Sequence, residues 1–166
     1  MESGAAFYVK QGATCILKLS GDVRYTMSCA LGDFLNGLFT QTDYDDIVVD
    51  LTDAHSIDST SLGLLARIAN FSRQHFARKT TLLSTNPDVN QILDNLGFYE
   101  IFNIRDTGET ISATLRQLAI SDPCDKDTLT RIVYEAHRTL SELNPNNQEA
   151  FKGVLDSLRP KLGSGS

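Results

Sequence analysis

The chain has no tryptophan, two methionines, four prolines and three cysteines in 166 residues, and it is short of positive charge, with 15 Lys and Arg against 21 Asp and Glu for a net −6. An acidic average field repels a phosphate backbone, and without a basic cluster an anionic lipid surface attracts the chain no better, so nucleic acid and membrane are set aside as partners. No apolar run approaches the roughly 18 residues of a membrane span. The start, Met1-Glu2-Ser3-Gly4-Ala5-Ala6-Phe7, has neither a basic n-region nor an apolar h-region, which points to a cytoplasmic protein. Cys15, Cys29 and Cys124 form no Cys-x-x-Cys pair, and an odd number at such wide spacing suits neither a disulfide framework nor a zinc site. With 11 glycines, four prolines and no charge block or repeat, long disorder is not expected.

What is present is a 41% hydrophobic composition, enough for one domain with an appendage. Cys15, Leu17 and Leu19 alternate as a half-buried strand does, and a shorter strand over Phe7 to Val9 pairs with it across Gln11-Gly12. Met27, Ala30, Leu31, Phe34, Leu35 and Leu38 recur at helical intervals, predicting a helix from Met27 to Phe39. Ile47 to Leu51 is a β-branched run without alternation, the pattern of a strand covered on both faces, followed by a turn over Asp53 to Asp58. The next helix carries two stripes, Leu62, Leu65, Ala66, Ala69 and Phe76 on one and Leu64, Ile68 and Phe71 on the other, so both must meet apolar surface.

Thr80 to Leu83 reads as a strand, and Asn86-Pro87 through Gly97 as a helix with its N-cap, first-turn proline and closing glycine in place. Tyr99 to Asn103 is the expected last strand, with a further helix through Ile111, Leu115 and Leu118. Beyond Pro123 two helical stripes, Leu129 to Leu143 and Ala150 to Leu158, are separated by Asn144-Pro145-Asn146-Asn147 and predict a helical hairpin. Its eleven apolar residues are expected to be mostly buried, against Leu64, Ile68 and Phe71. The fold class is therefore α/β: a mixed sheet of about five strands with helices packed on it, residues 1–120, then a helical extension, 121–160, and a flexible tail, 161–166.

The turn into the two-striped helix, Ile57-Asp58-Ser59-Thr60-Ser61-Leu62-Gly63-Leu64-Leu65, carries the chemistry. Asp, Ser and Thr here cap a helix, since their oxygens accept from its first free N–H groups. The same place favours a phosphate, because the helix dipole and those N–H groups attract negative charge. This segment, together with Ile47-Val48-Val49-Asp50-Leu51 before it and Asn86-Pro87-Asp88-Val89 to Leu96-Gly97-Phe98 and Ile101-Phe102 after it, resembles the STAS domain of bacterial anti-sigma factor antagonists. The resemblance covers about residues 5 to 118 and implies that Ser59, directly after Asp58, is phosphorylated by a serine protein kinase, often the anti-sigma factor itself, and restored by a PP2C-type phosphatase.

Thr60 and Ser61 are the lesser acceptors, with Asp22, Arg24, Ile57, Asp58, Thr60, Ser61 and Leu64 as phosphosite neighbours and partner contacts. Ser61 stands where many members have glycine, and in Gly21-Asp22-Val23-Arg24 the arginine takes an acidic position, where it can neutralise a phosphoserine. No cofactor and no metal are expected: His55, His75 and His137 lack ligand spacing and read as solvated or capping residues. Ser59 with His55 and Asp58 supplies the residue types of a hydrolase, but without a nucleophile elbow. A purely structural assembly subunit is the third reading, and the oligomeric state stays open.

Overall fold

Strands β1 (Ala5–Gln11) and β2 (Thr14–Val23) form an antiparallel hairpin in the register Gln11↔Thr14 to Ala5↔Ser20. Gly12, at φ 62°, supplies the left-handed conformation that its two-residue turn needs. The structure is a computed structural model that describes residues 3–106, 114–120 and 124–162. After a 3-10 turn at Tyr25–Met27, helix α1 (Ser28–Leu38) leads to β3 (Asp46–Ile57), which lies parallel to β2. Helix α2 (Ser59–Phe76), β4 (Thr80–Leu83), α3 (Pro87–Asn95), the short α4 (Phe98–Ile101) and β5 (Phe102–Arg105) complete two further parallel crossovers.

The two-residue strand β6 (Arg116–Gln117) pairs antiparallel with β1, giving a six-stranded mixed sheet in the order β5-β4-β3-β2-β1-β6. Helices α5 (Lys126–Ser141) and α6 (Pro145–Leu162) form the C-terminal hairpin. Alternation puts Leu17 and Leu19 of β2 at zero exposure, and Val49 and Leu51 of β3 are equally buried. Around them lie Leu31 and Leu35 of α1, Leu62 and Leu65 of α2 and Phe98 and Phe102, which form one continuous core.

Several elements depart from the sequence pattern. The segment expected as a turn, Asp53 to Asp58, is strand as far as Ile57, where β3 pairs with β2 at Val23↔Ile57, and Asp58 caps α2. Tyr99–Asn103 is divided between α4 and β5, because Gly97 at φ 80° closes α3 and re-enters a helical turn. Leu118 lies in no helix; its N–H donates to the Ala6 carbonyl just past β6. The Ile111 part of that expected helix falls outside the described residues. Cys29 and Cys124 are joined by a disulfide, with Cα atoms 6.0 Å apart, and Cys15 is free and buried.

Both stripes of α2 find partners, and Thr60 through Ala66 are buried without a break. Leu64 faces α5 across a cleft of about 420 Å³ that Ile132 and Ala136 also line. Phe71 instead joins an aromatic cluster, stacked on Phe39 at 4.3 Å and edge-on to Phe76. Of the eleven apolar stripe residues of the hairpin, only Ala136, Leu140 and Leu155 are buried, and Ala150 and Val154 are exposed, so the hairpin docks through a narrower seam than the pattern predicts. At the centre of that seam lies Gly63, where a Cβ would collide with the carbonyl of Ala136.

Candidate functional site

The first turn of α2 begins where β3 ends. Asp58 is its N-cap, in extended conformation at φ −90°, ψ 171°, and Oδ1 accepts from the Ser61 N–H at 2.9 Å. Oδ2 accepts from the Tyr25 N–H at 2.7 Å, and the Asp58 N–H donates to the Val23 carbonyl at 3.0 Å. The carboxylate thus pins the turn after β2 to the head of α2. Because Asp58 caps, the neighbouring hydroxyl is not needed for capping.

That hydroxyl, Ser59 Oγ, lies 2.8 Å from Nε2 of His137 on α5. His137 is 6% exposed, and its Nδ1 lies 2.7 Å from the Val133 carbonyl one turn earlier. A carbonyl can only accept, so Nδ1 carries a proton, and in the tautomer protonated at Nδ1 alone Nε2 accepts from the Ser59 hydroxyl. Phe151 of α6 packs edge-on against the imidazole with centroids 5.5 Å apart, so one line of contact runs from α2 through α5 to α6.

The remaining expected site residues are placed unevenly. Asp22 is half-buried and accepts from the Ser56 hydroxyl at 2.8 Å, tying the ends of β2 and β3 together. Arg24 is exposed, beside the Tyr25 N–H that holds Asp58. Ile57, Thr60, Ser61 and Leu64 are 6%, 5%, 1% and 2% exposed, so a docking protein meets none of them directly while the fold stays as described. Ser59 is the half-buried hydroxyl of the trio Ser59, Thr60 and Ser61.

His137, which reads in the sequence as a solvated or capping histidine, is instead buried against Ser59. Its signal was its place on the apolar stripe, four residues after Val133 and three before Leu140, where a solvated histidine does not belong. His55, the histidine near Ser59 in sequence, is exposed on β3. Beside the seam, Arg67 donates to the Asn36 side chain at 2.9 Å, and burial holds its guanidinium below its usual basicity. Among the described residues, no cluster of three His, Cys, Asp or Glu side chains is placed to hold a metal, and no helix is long and apolar enough to cross a membrane.

The parallel crossovers, the hydroxyl-bearing head of α2 and the β1–β2 hairpin make up an α/β fold with a mixed sheet. A model of the STAS domain family matches residues 6–111, and the chain belongs to that family. The match ends before the α5–α6 hairpin. Compared with curated proteins, the chain has no match.

Proposed function

We propose that the protein is a phosphorylation-controlled partner-switching module, an anti-sigma factor antagonist of a bacterial cytoplasm, with Ser59 as its phosphoacceptor. Residues 1–120 form the regulatory domain and 121–160 an added helical element. Unphosphorylated, the module binds an anti-sigma factor or serine protein kinase; phosphorylated, it lets go; and a PP2C-type phosphatase resets it. The observation carrying this reading is the position of Ser59: first residue of α2, directly after the capping Asp58, with a hydroxyl the cap does not use. A phosphate there brings about −1.5 to −2 charges next to Asp58, which disfavours docking of an acidic or apolar face. A STAS switch on a non-sigma effector, such as a biofilm or motility signalling enzyme, uses the same mechanism. The test is phosphopeptide mass spectrometry on the chain recovered from its own cells. Phosphate on Ser59 is the expected result, and phosphate only on Thr60, Ser61 or Ser56 overturns the assignment.

The Ser59–His137 hydrogen bond gives a serine hydrolase one observation in its favour, since a nucleophile beside an oriented imidazole is how such enzymes begin. It ranks second. Both Asp58 oxygens are committed to backbone N–H groups, and the cleft between α2 and α5 is lined by neither Ser59 nor His137. Ester turnover that disappears in Ser59→Ala would favour it.

A further inference from the structure

Two contacts tie the hairpin, which lies beyond the family match, to the domain that carries Ser59. His137 Nε2 occupies the space 2.8 Å from Ser59 Oγ, and Cys124, the residue before the α5 N-cap Asp125, is bonded to Cys29 on α1. A phosphoryl group on Ser59 needs room for three oxygens where the buried imidazole now lies, and a kinase must reach the hydroxyl that His137 holds. Docked α5 and a phosphoryl group on Ser59 thus compete for the space that the imidazole fills.

We propose that α5 is a cover over Ser59 and that the Cys29–Cys124 pair is a thiol–disulfide exchange site that bolts it. The proposal rests on Ser59 being the phosphoacceptor. With the disulfide formed, α5 can move only by pivoting about an end fixed to α1. With it reduced, the described tie that precedes α5 is the Leu118 N–H donating to the Ala6 carbonyl at 2.8 Å, while the far end of α5 stays held where the Asn144 and Asn147 amides donate to the Leu96 carbonyl, so the N-terminal end of α5 is the end that lifts. Both cysteines are half-buried, not sealed in the core, so a reductant can reach them. The reductant is a dithiol. One of its thiolates bonds a cystine sulfur as the Cys29–Cys124 bond breaks, its second thiolate displaces that sulfur by closing its own disulfide, and the chain gains two electrons and two protons as two thiols.

Linkage makes the effect reciprocal. Whatever holds α5 down disfavours the phosphorylated state, and phosphate at Ser59 disfavours docked α5 by the same free energy. The cover also competes with any protein that docks at the head of α2.

Two measurements on the full-length chain test this. The first is hydrogen exchange followed by mass spectrometry over α5 and the first turn of α2, with the disulfide intact, after reduction by dithiothreitol, and in Cys29→Ser without reductant. Exchange at least threefold faster in both disulfide-free forms is expected; equal exchange in all three overturns the bolt. The second takes protein from its own cells with free thiols alkylated at lysis, so that intact mass separates disulfide-linked from reduced molecules. Ser59 phosphate enriched at least threefold on the reduced molecules is expected, and equal occupancy overturns the bolt. Phosphate located elsewhere, with exchange still raised by reduction, marks failure of the phosphoacceptor reading and not of the cover.

Discussion

Ser59 and His137 are 78 residues apart in the chain and share a 2.8 Å hydrogen bond. The bond joins the proposed phosphoacceptor to a helix that lies beyond the family match, so the appendage touches the candidate site. The consequences can be tested one contact at a time.

His137→Ala removes the ring that fills the space between Ser59 and Phe151 and leaves the Val133 carbonyl without that donor. Losing a buried hydrogen-bond partner costs about 1–3 kcal/mol, so the midpoint of urea unfolding should fall while the protein stays folded. An unchanged midpoint would mean that α5 is not docked in solution.

Gly63→Ala separates local preference from packing. Alanine in a helix interior is favoured over glycine by about 0.5–1 kcal/mol, so α2 alone would gain. In the full chain the added Cβ meets the Ala136 backbone, and a net loss of stability is expected. A net gain in denaturant titration would contradict the α2–α5 crossing.

Asp58→Ala and Ser59→Ala should differ. The first loses the N-cap, about 0.5–2 kcal/mol, and the Tyr25 tie in addition. The second gives up a single hydrogen bond, about 0.5–1.5 kcal/mol. Thermal melts should therefore rank wild type, Ser59→Ala, Asp58→Ala, from most to least stable; the reverse order of the two variants would mean that Ser59 is the cap.

Burial pushes the Cys15 thiol up to about 11 and the Tyr44 phenol up to about 12, against ordinary values of 9.0 and 10.0. Each folded group binds its proton more tightly than the unfolded one, so their contribution is intact below pH 9 and is lost as pH rises from there towards 11 and 12. Denaturation curves should weaken progressively above pH 9, and Cys15 should resist iodoacetamide at pH 8 until the protein unfolds. Rapid alkylation of folded Cys15 at pH 8 would contradict its burial.

Elements that announce themselves by local chemistry were legible in the sequence. Asn86 caps α3 with Pro87 in the first turn and Gly97 just past the end, and β4 falls on Thr80–Leu83 as the pattern places it. The far half of β3 was not legible, because Thr52, Asp53, His55 and Ser56 interrupt the apolar run while backbone pairing to β2 carries the strand on. Leu115 and Leu118 have helical spacing, but pairing of Arg116–Gln117 with the β1 edge decides their conformation. Asp58 and Ser59 could be located from the motif alone. The Cys29–Cys124 bond spans 95 residues and His137 reaches Ser59 from another helix, and no local spacing encodes either partner.

In the proposed switch, phosphate on Ser59 governs the association. The most direct test is calorimetric titration of the full chain, unphosphorylated and phosphorylated at Ser59, against the kinase or anti-sigma protein recovered with it from its own cells. Phosphorylation should weaken binding at least tenfold. Equal affinity of the two forms would rule the switch out.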